Sequence, residues 1–284
     1  MKQFIINGGT DSDNLVRFEG KDYHYLVNVR RYAAGEYFPA LLPNNKETLV
    51  HIISISNGVI TGKCIPPSLS HLSSSSPALQ TEDACLCAGS SDAVPPIILF
   101  QALPKSDKMD LIVRQAAEGG ITEIVPFVSE FTIGRTKAAG QKFSRWERII
   151  KEARQQSGSR IATALRQPLT INELLDYWKT LINDSLQKQR PGLGILFHHL
   201  QERAGGLEHE SLHRYLVGNP EIIVLAIGPE GGFSDKEVSL FLENGFKPFT
   251  IGDIVLRTET AALYCAAAIR ILLLERDSWE LKKV

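Results

Sequence analysis

Two kinds of hydrophobic pattern divide the chain. From residue 96 onward, short apolar runs alternate with helical periodicities. Residues 97–102 (I-I-L-F-Q-A), 121–127, 194–197 and 222–227 (I-I-V-L-A-I) read as buried strands, the second of them ended by Pro126. Between them, residues 105–119 place Met109, Ile112, Val113 and Ala116 on one helical face. Further helices are predicted over 143–157, closed by Gly158, and over 174–186. Ser234 with Glu237 three residues later forms a capping-box pattern for a helix over 235–244, and Gly245 follows as its C′ residue. A short strand over 249–251 then runs into the Gly252-Asp253 turn, and residues 261–274 form an apolar, alanine-rich helix. Strands alternating with helices predict an α/β fold built on a parallel sheet.

Residues 1–66 follow a different rhythm. Runs at 22–29, 37–42, 49–55 and 59–65 read as strands, separated by turn signals at 34–36, 43–45 and 56–58. Asn57-Gly58 between two apolar runs is a hairpin signal, because both residues tolerate positive φ. Residues 24–31 have a second reading as a short helix, with Tyr25, Leu26 and Val29 on one face. The pattern predicts a small β-barrel. Residues 66–94 include P-P-S-L-S-H-L-S-S-S-S-P and read as a flexible segment or loose insertion that holds the domain boundary. The expected division is a barrel over 1–75, a linker over 76–93 and an α/β domain over 94–284.

Composition adds limits. The 284 residues are 43% hydrophobic and 22% charged, with net charge −1, an ordinary globular balance with length for two domains. That neutrality runs against a nucleic-acid partner unless basic residues cluster locally. No run of eighteen apolar residues predicts a transmembrane helix, and the apolar part of the N-terminus is too short for a signal peptide. Cys64, Cys85, Cys87 and Cys265 lack zinc-ligand spacing and read as free thiols of a reducing cytoplasm. His198-His199 end a strand without an H-x-x-H or H-E-x-x-H pattern, so no metal is expected. A Rossmann fingerprint, a P-loop and G-x-S-x-G are all absent.

The candidate chemistry lies in two loops. G-P-E-G-G-F-S (228–234) breaks the 222–227 run, and I-G-D-I-V-L-R-T-E-T-A (251–261) leads into the last helix. Both are rich in small residues and backbone N–H groups at strand ends, where open α/β sheets bind ligands. L-R-T-E-T-A also sets charge beside an apolar helix with no evident structural need.

These two motifs, in this order, resemble the C-terminal signature of the SPOUT methyltransferases, whose chain forms a trefoil knot. Within that group the chain most resembles the 16S rRNA uridine-N3 methyltransferases of the RsmE type. Further matches are Lys105, Lys108, Met109, Glu118, Gly120 and Pro126, then Glu152, Ala153, Gln156, Ser157, Gly158 and Arg160, and in the N-terminal part His24, Val29, Arg30 and Gly35. The resemblance implies a trefoil-knot α/β domain preceded by a PUA-like barrel that helps to hold RNA, and S-adenosylmethionine (AdoMet) as methyl donor. It also implies a cytoplasmic homodimer acting on 16S rRNA within the small ribosomal subunit, with no membrane and no metal.

By the same resemblance, cofactor-binding falls on Leu196, Phe197, His198, Gly228, Gly231, Ile251, Gly252, Leu256, Thr258 and Thr260. RNA-binding falls on Arg30, Lys105, Lys108 and Arg160. Uridine N3 must lose a proton, and charge then spreads over the flanking carbonyl oxygens. Arg257 is the candidate to stabilise it, while Glu259 either accepts the proton or orients Arg257. The chain departs from the family at Gln115, Phe131 and Gln155, where Lys, Arg and Glu are usual, and the spacing before Arg160 is one residue longer. These departures keep two alternatives in view: a SPOUT enzyme for another RNA such as tRNA ribose, and a non-catalytic knotted RNA-binding protein.

Overall fold

A computed structural model describes residues 3–67, 94–132, 136–187, 190–198, 210–252 and 254–275. The serine-rich segment and linker, Cys85, Cys87, His199 and Asp253 lie outside the described residues. The chain divides into two compact units, and the segment Arg154–Arg160 belongs with the N-terminal one.

The N-terminal unit is a five-stranded mixed sheet of β1 (Phe4–Ile5), β2 (Leu15–Phe18), β3 (Tyr37–Leu41), β4 (Glu47–Ser56) and β5 (Val59–Ile65), in the order β1-β3-β4-β5-β2. β1 pairs with β3 in parallel, and the other pairs are antiparallel. The sheet is a half-barrel rather than the expected barrel, for its end strands β1 and β2 pair with β3 and β5 and not with each other. β1 offers only two residues to a partner. Asn57 and Gly58 take φ of 51° and 75°, which makes the β4–β5 hairpin tight, as their residue types predict. The stretch over 22–29 is helical: α1 (Gly20–Tyr23) runs into wider π-type turns over His24–Val29 and buries Leu26 completely. Phe4, Phe18 and Phe38 meet edge-on or tilted beneath the sheet, with centroids 5.4–6.0 Å apart.

The C-terminal unit carries a seven-stranded sheet in which every pairing is parallel. Its strands are β6 (Ile97–Ala102), β7 (Glu123–Val128), β8 (Ala164–Leu165), β9 (Leu169–Thr170), β10 (Gly192–Phe197), β11 (Ile222–Ile227) and β12 (Lys247–Phe249). The order is β12-β10-β11-β6-β7, with β8 and β9 both on the outer side of β7. Helices cover both faces. On one lie α2 (Lys108–Glu118), α3 (Thr136–Ser157), α5 (Leu212–Leu216) and α7 (Thr258–Leu274); on the other lie α4 (Ile171–Gln187) and α6 (Asp235–Glu243). A sheet covered on both faces explains why β6 and β11 read as continuous apolar runs.

Three details depart from the sequence expectation. Pro126 lies inside β7 rather than ending it. Arg166 N–H donates to Ile124 O on one side of β7, and Leu103 N–H donates to Phe127 O on the other. The Pro126 nitrogen therefore faces the gap between β8 and β9, where no ladder bond needs its missing N–H. β12 starts two residues earlier than predicted, since Gly245 (φ 84°) turns the chain directly into buried Phe246. Gly194 in β10 lets that ring approach, for a Cβ there would lie 2.9 Å from it. α7 begins at Thr258, three residues early, with Arg257 extended at the N-cap position and making no side-chain capping bond.

Candidate functional site

Because all seven strands are parallel, their C-terminal ends share one edge. The chain builds β6, β7, β8 and β9 in one direction and then returns on the other side of β6 with β10 and β11, so the order reverses between β6 and β11. A crevice outside the strand ends at such a reversal is where open α/β sheets hold ligands.

The loop after β11 is drawn tightly over this point. Gly232 (φ 72°) closes a turn by donating its N–H to Pro229 O at 2.9 Å. A Cβ on Gly228 would lie 3.3 Å from the Gly232 carbonyl carbon and from the Phe233 ring, and one on Gly231 would meet Phe131 at 3.4 Å. Ser234 then opens α6 with the predicted capping box. Its Glu237 carboxylate, 4% exposed, does more than cap: it also accepts Glu130 N–H at 2.9 Å and the Ser129 hydroxyl at 3.2 Å. The loop after β7 is thereby fastened to the glycine loop.

Gln101 was not singled out from the sequence. It is fully buried in β6 opposite Ile227, the last residue of β11. Its Nε2 donates to Ala102 O at 2.9 Å and to Thr258 Oγ1 at 3.0 Å, and the Thr258 hydroxyl donates to Gly228 O at 2.7 Å. One relay thus joins β6, the first turn of α7 and the glycine loop. Gln101 Oε1 has no hydrogen-bond partner among the described residues, an acceptor left open in a buried polar cluster. The signal that was available is a polar residue inside the otherwise apolar run I-I-L-F-Q-A.

The charges come next. Glu259, in the first turn of α7, pairs with Lys108 Nζ at 3.2 Å, and Lys108 pairs with Glu230 Oε1 at 3.1 Å. Glu230 also accepts Lys105 N–H at 2.9 Å. Burial alone would raise the Glu230 carboxyl. The N–H groups of Glu230 itself and Lys105, with the Lys108 ammonium, reverse that and hold it below its ordinary value. The hydrogen bond to Glu230 leads in pushing Lys108 up. Arg257, by contrast, is exposed and makes no ion pair among the described residues. The carboxylate of Glu259 is engaged by Lys108 rather than by Arg257.

Of the remaining predicted positions, Leu196 is fully buried against α4 and α6, so its side chain belongs to the core. Phe197 lies edge-on to Phe249 at 5.6 Å. The ends of β10 and β12 are joined where His198 N–H donates to Phe249 O and the Thr250 hydroxyl donates to His198 O. Ile251 and Leu256 are half-buried, and Gly252 (φ 51°) and Thr260 are exposed. Arg30, in the other unit, is exposed with its guanidinium 5.9 Å from the Tyr32 ring centroid. Arg160 pairs with Glu47 at 2.6 Å, and the Lys105 side chain is exposed. Among the described residues no three His, Cys, Asp or Glu side chains group as a metal site, and no helix is long and apolar enough to cross a membrane. Away from the strand ends, an apolar groove of roughly 160 Å³ runs between α2 and α7, lined by Ile112, Ala116, Ala266 and Ile271 and by the departing residue Gln115. It contains none of the residues expected to bind a cofactor.

Comparison with known proteins bears on this edge. A family model described as an RNA methyltransferase domain matches residues 91–270. The chain is 33% identical over 184 residues to the ribosomal RNA small subunit methyltransferase E of Synechocystis, an alignment covering 63% of this chain and 54% of that protein's length. It is 26% identical over 279 residues to methyltransferase E 2 of Borreliella burgdorferi, covering 96% of this chain and 98% of the other. In fold it is similar to the ribosomal RNA small subunit methyltransferase E of Neisseria gonorrhoeae, solved bound to S-adenosyl methionine. The TM-score is 0.67 at 22% identity, over 96% of this chain and 98% of that one.

Proposed function

The chain belongs to the family of RNA methyltransferase domains, and from that premise we propose that it is an AdoMet-dependent methyltransferase acting on N3 of a uridine in 16S rRNA. The observation that carries the reading is the convergence of both glycine loops on the sheet's reversal point, with an exposed arginine beside them that makes no ion pair among the described residues. The residues suit the cofactor: a Cβ on Gly228 would crowd Gly232 and the Phe233 ring at 3.3 Å, and the loops present backbone groups at a strand-end crevice. Relatives named as ribosomal RNA small subunit methyltransferases, and a similar fold solved with S-adenosyl methionine, support methyl transfer to ribosomal RNA.

In this proposal the main chain at Gly228, Gly231, Ile251, Gly252 and Leu256 holds the adenine and ribose. Phe197, His198, Thr258 and Thr260 border them, and Leu196 contributes through the core beneath. When bound, AdoMet supplies an electrophilic methyl on a cationic sulfonium. Arg257 stabilises the charge that develops on the uracil oxygens as the N3 proton leaves. Glu259 is the nearby acidic residue for that proton, directly or through water. Arg30, Lys105 and Arg160 bind RNA phosphates. The N-terminal half-barrel, over 1–75, serves as the PUA-like RNA-holding domain, 76–93 as linker and 94–284 as the trefoil-knot domain. The protein works in the cytoplasm as a homodimer on the small ribosomal subunit, consistent with the exposed apolar side chains Leu263, Tyr264, Ile271 and Leu274 on α7.

The test combines binding, mapping and rate. Calorimetry should find one AdoMet site per chain, abolished in Gly228→Val. Mass mapping of ribosomal RNA nucleosides, with and without the protein, should show an N3-methyluridine that depends on it; a methylated ribose instead would move the substrate to another class. Arg257→Ala should keep AdoMet affinity within a few-fold and slow single-turnover methylation by about 10²-fold, the scale of losing one preorganised charge stabiliser. Loss of cofactor binding with an unchanged saturating rate would make Arg257 a loop anchor instead.

A further inference from the structure

We infer that Lys108 is a positioning residue that locks the platform at the sheet's reversal point, not a phosphate contact. It does so as the centre of a carboxylate–ammonium–carboxylate bridge with Glu230 and Glu259. That the platform holds AdoMet rests on the function proposed above; the bridge itself rests on geometry.

Lys108 opens α2, Glu230 lies in the glycine loop after β11, and Glu259 lies in the first turn of α7. The two contacts, at 3.1 and 3.2 Å, therefore tie together three segments far apart in sequence. Glu230 Oε1 takes the Lys105 N–H as well, which draws the loop between β6 and α2 onto the same carboxylate. The side chains are 31%, 22% and 14% exposed for Lys108, Glu230 and Glu259, so the charges are partly withdrawn from water and interact more strongly than a surface pair. A phosphate approaching Lys108 must displace two carboxylates already in place, whereas the Lys105 side chain is exposed. Without Lys108, the two partly buried carboxylates lose the ammonium they share, and the tie between the glycine loop and α7 is broken.

Hydrogen exchange read by mass spectrometry on the ligand-free protein tests the bridge without the cofactor. In Lys108→Met, exchange should accelerate in two separated segments, 228–232 and 258–262, while Lys105→Met leaves both unchanged. Glu230→Gln, which keeps the shape and removes one charge, should accelerate the same two segments and serves if Lys108→Met does not fold. AdoMet affinity in Lys108→Met should fall roughly tenfold, the scale of one broken, partly buried ion pair, and the salt dependence of RNA binding should keep its slope. Unchanged exchange and AdoMet affinity, with a salt slope shallower by about one, would make Lys108 a phosphate contact and overturn the inference. A wild-type protein that binds no AdoMet, but whose two segments still loosen in Lys108→Met, would refute the proposed function and leave the bridge standing.

Discussion

At Glu230 the balance of burial against hydrogen bonding has a sign that can be measured. Its carboxyl is held below the ordinary 4.5 in the folded chain, so the folded state binds fewer protons there than the unfolded one. Stability from this group is fully present above the ordinary value and is lost as pH falls through the depressed one. Urea denaturation of Glu230→Gln, followed from neutrality to well below pH 4.5, should therefore show a smaller acid-side loss of stability than the wild type. An equal loss in both would mean that the carboxylate contributes nothing through its proton. The ingredients of this cluster were only partly legible. Lys108, Glu230 and Glu259 each stand in a motif, but motifs do not state pairings, and neither ion pair of Lys108 was foreseen. Gln101 and Thr258 are separated by 157 residues, and no local pattern announces a hydrogen bond over that span.

Among secondary-structure elements, legibility followed length and context. β5, β6 and β11 lie where the apolar runs and their turn residues put them, because buried strands between glycine, proline or asparagine signals have clear ends. β1, β8 and β9 hold two residues each, too few to display any period, and their places are set by neighbours in the sheet. Residues 22–29 satisfied both alternation and a helical face, and burial of Leu26 decided for the helix. The capping box of α6 was readable, but its second duty was not. Glu237→Ala removes the cap and also strands the buried Ser129 hydroxyl and the Glu130 N–H. It should cost about 2–4 kcal/mol, against about 1 kcal/mol for Ser234→Ala, which removes a cap alone. Chemical denaturation of both variants checks this; equal losses would show that the loop after β7 does not lean on Glu237.

For the whole molecule, the apolar side chains exposed along α7 continue into the groove beside α2, a face of the kind at which chains associate. Light scattering at micromolar concentration should report a dimer, and Ile271→Glu should shift it towards monomer while leaving the fold intact. A strictly monomeric wild type would contradict the proposed homodimer. The borders of the parallel sheet are poorly suited to pairing with a second copy. At one border β12 is three residues long, and the Pro248 nitrogen carries no hydrogen while its carbonyl is already taken by the Tyr215 hydroxyl. At the other border, β8 and β9 are two-residue fragments with Pro168 between them. Neither border offers an uninterrupted row of donors and acceptors for a further strand. Ribbon-like stacking of one molecule's sheet onto the next, the route by which parallel sheets grow into fibrils, is closed at both ends before any charge or chaperone is called on.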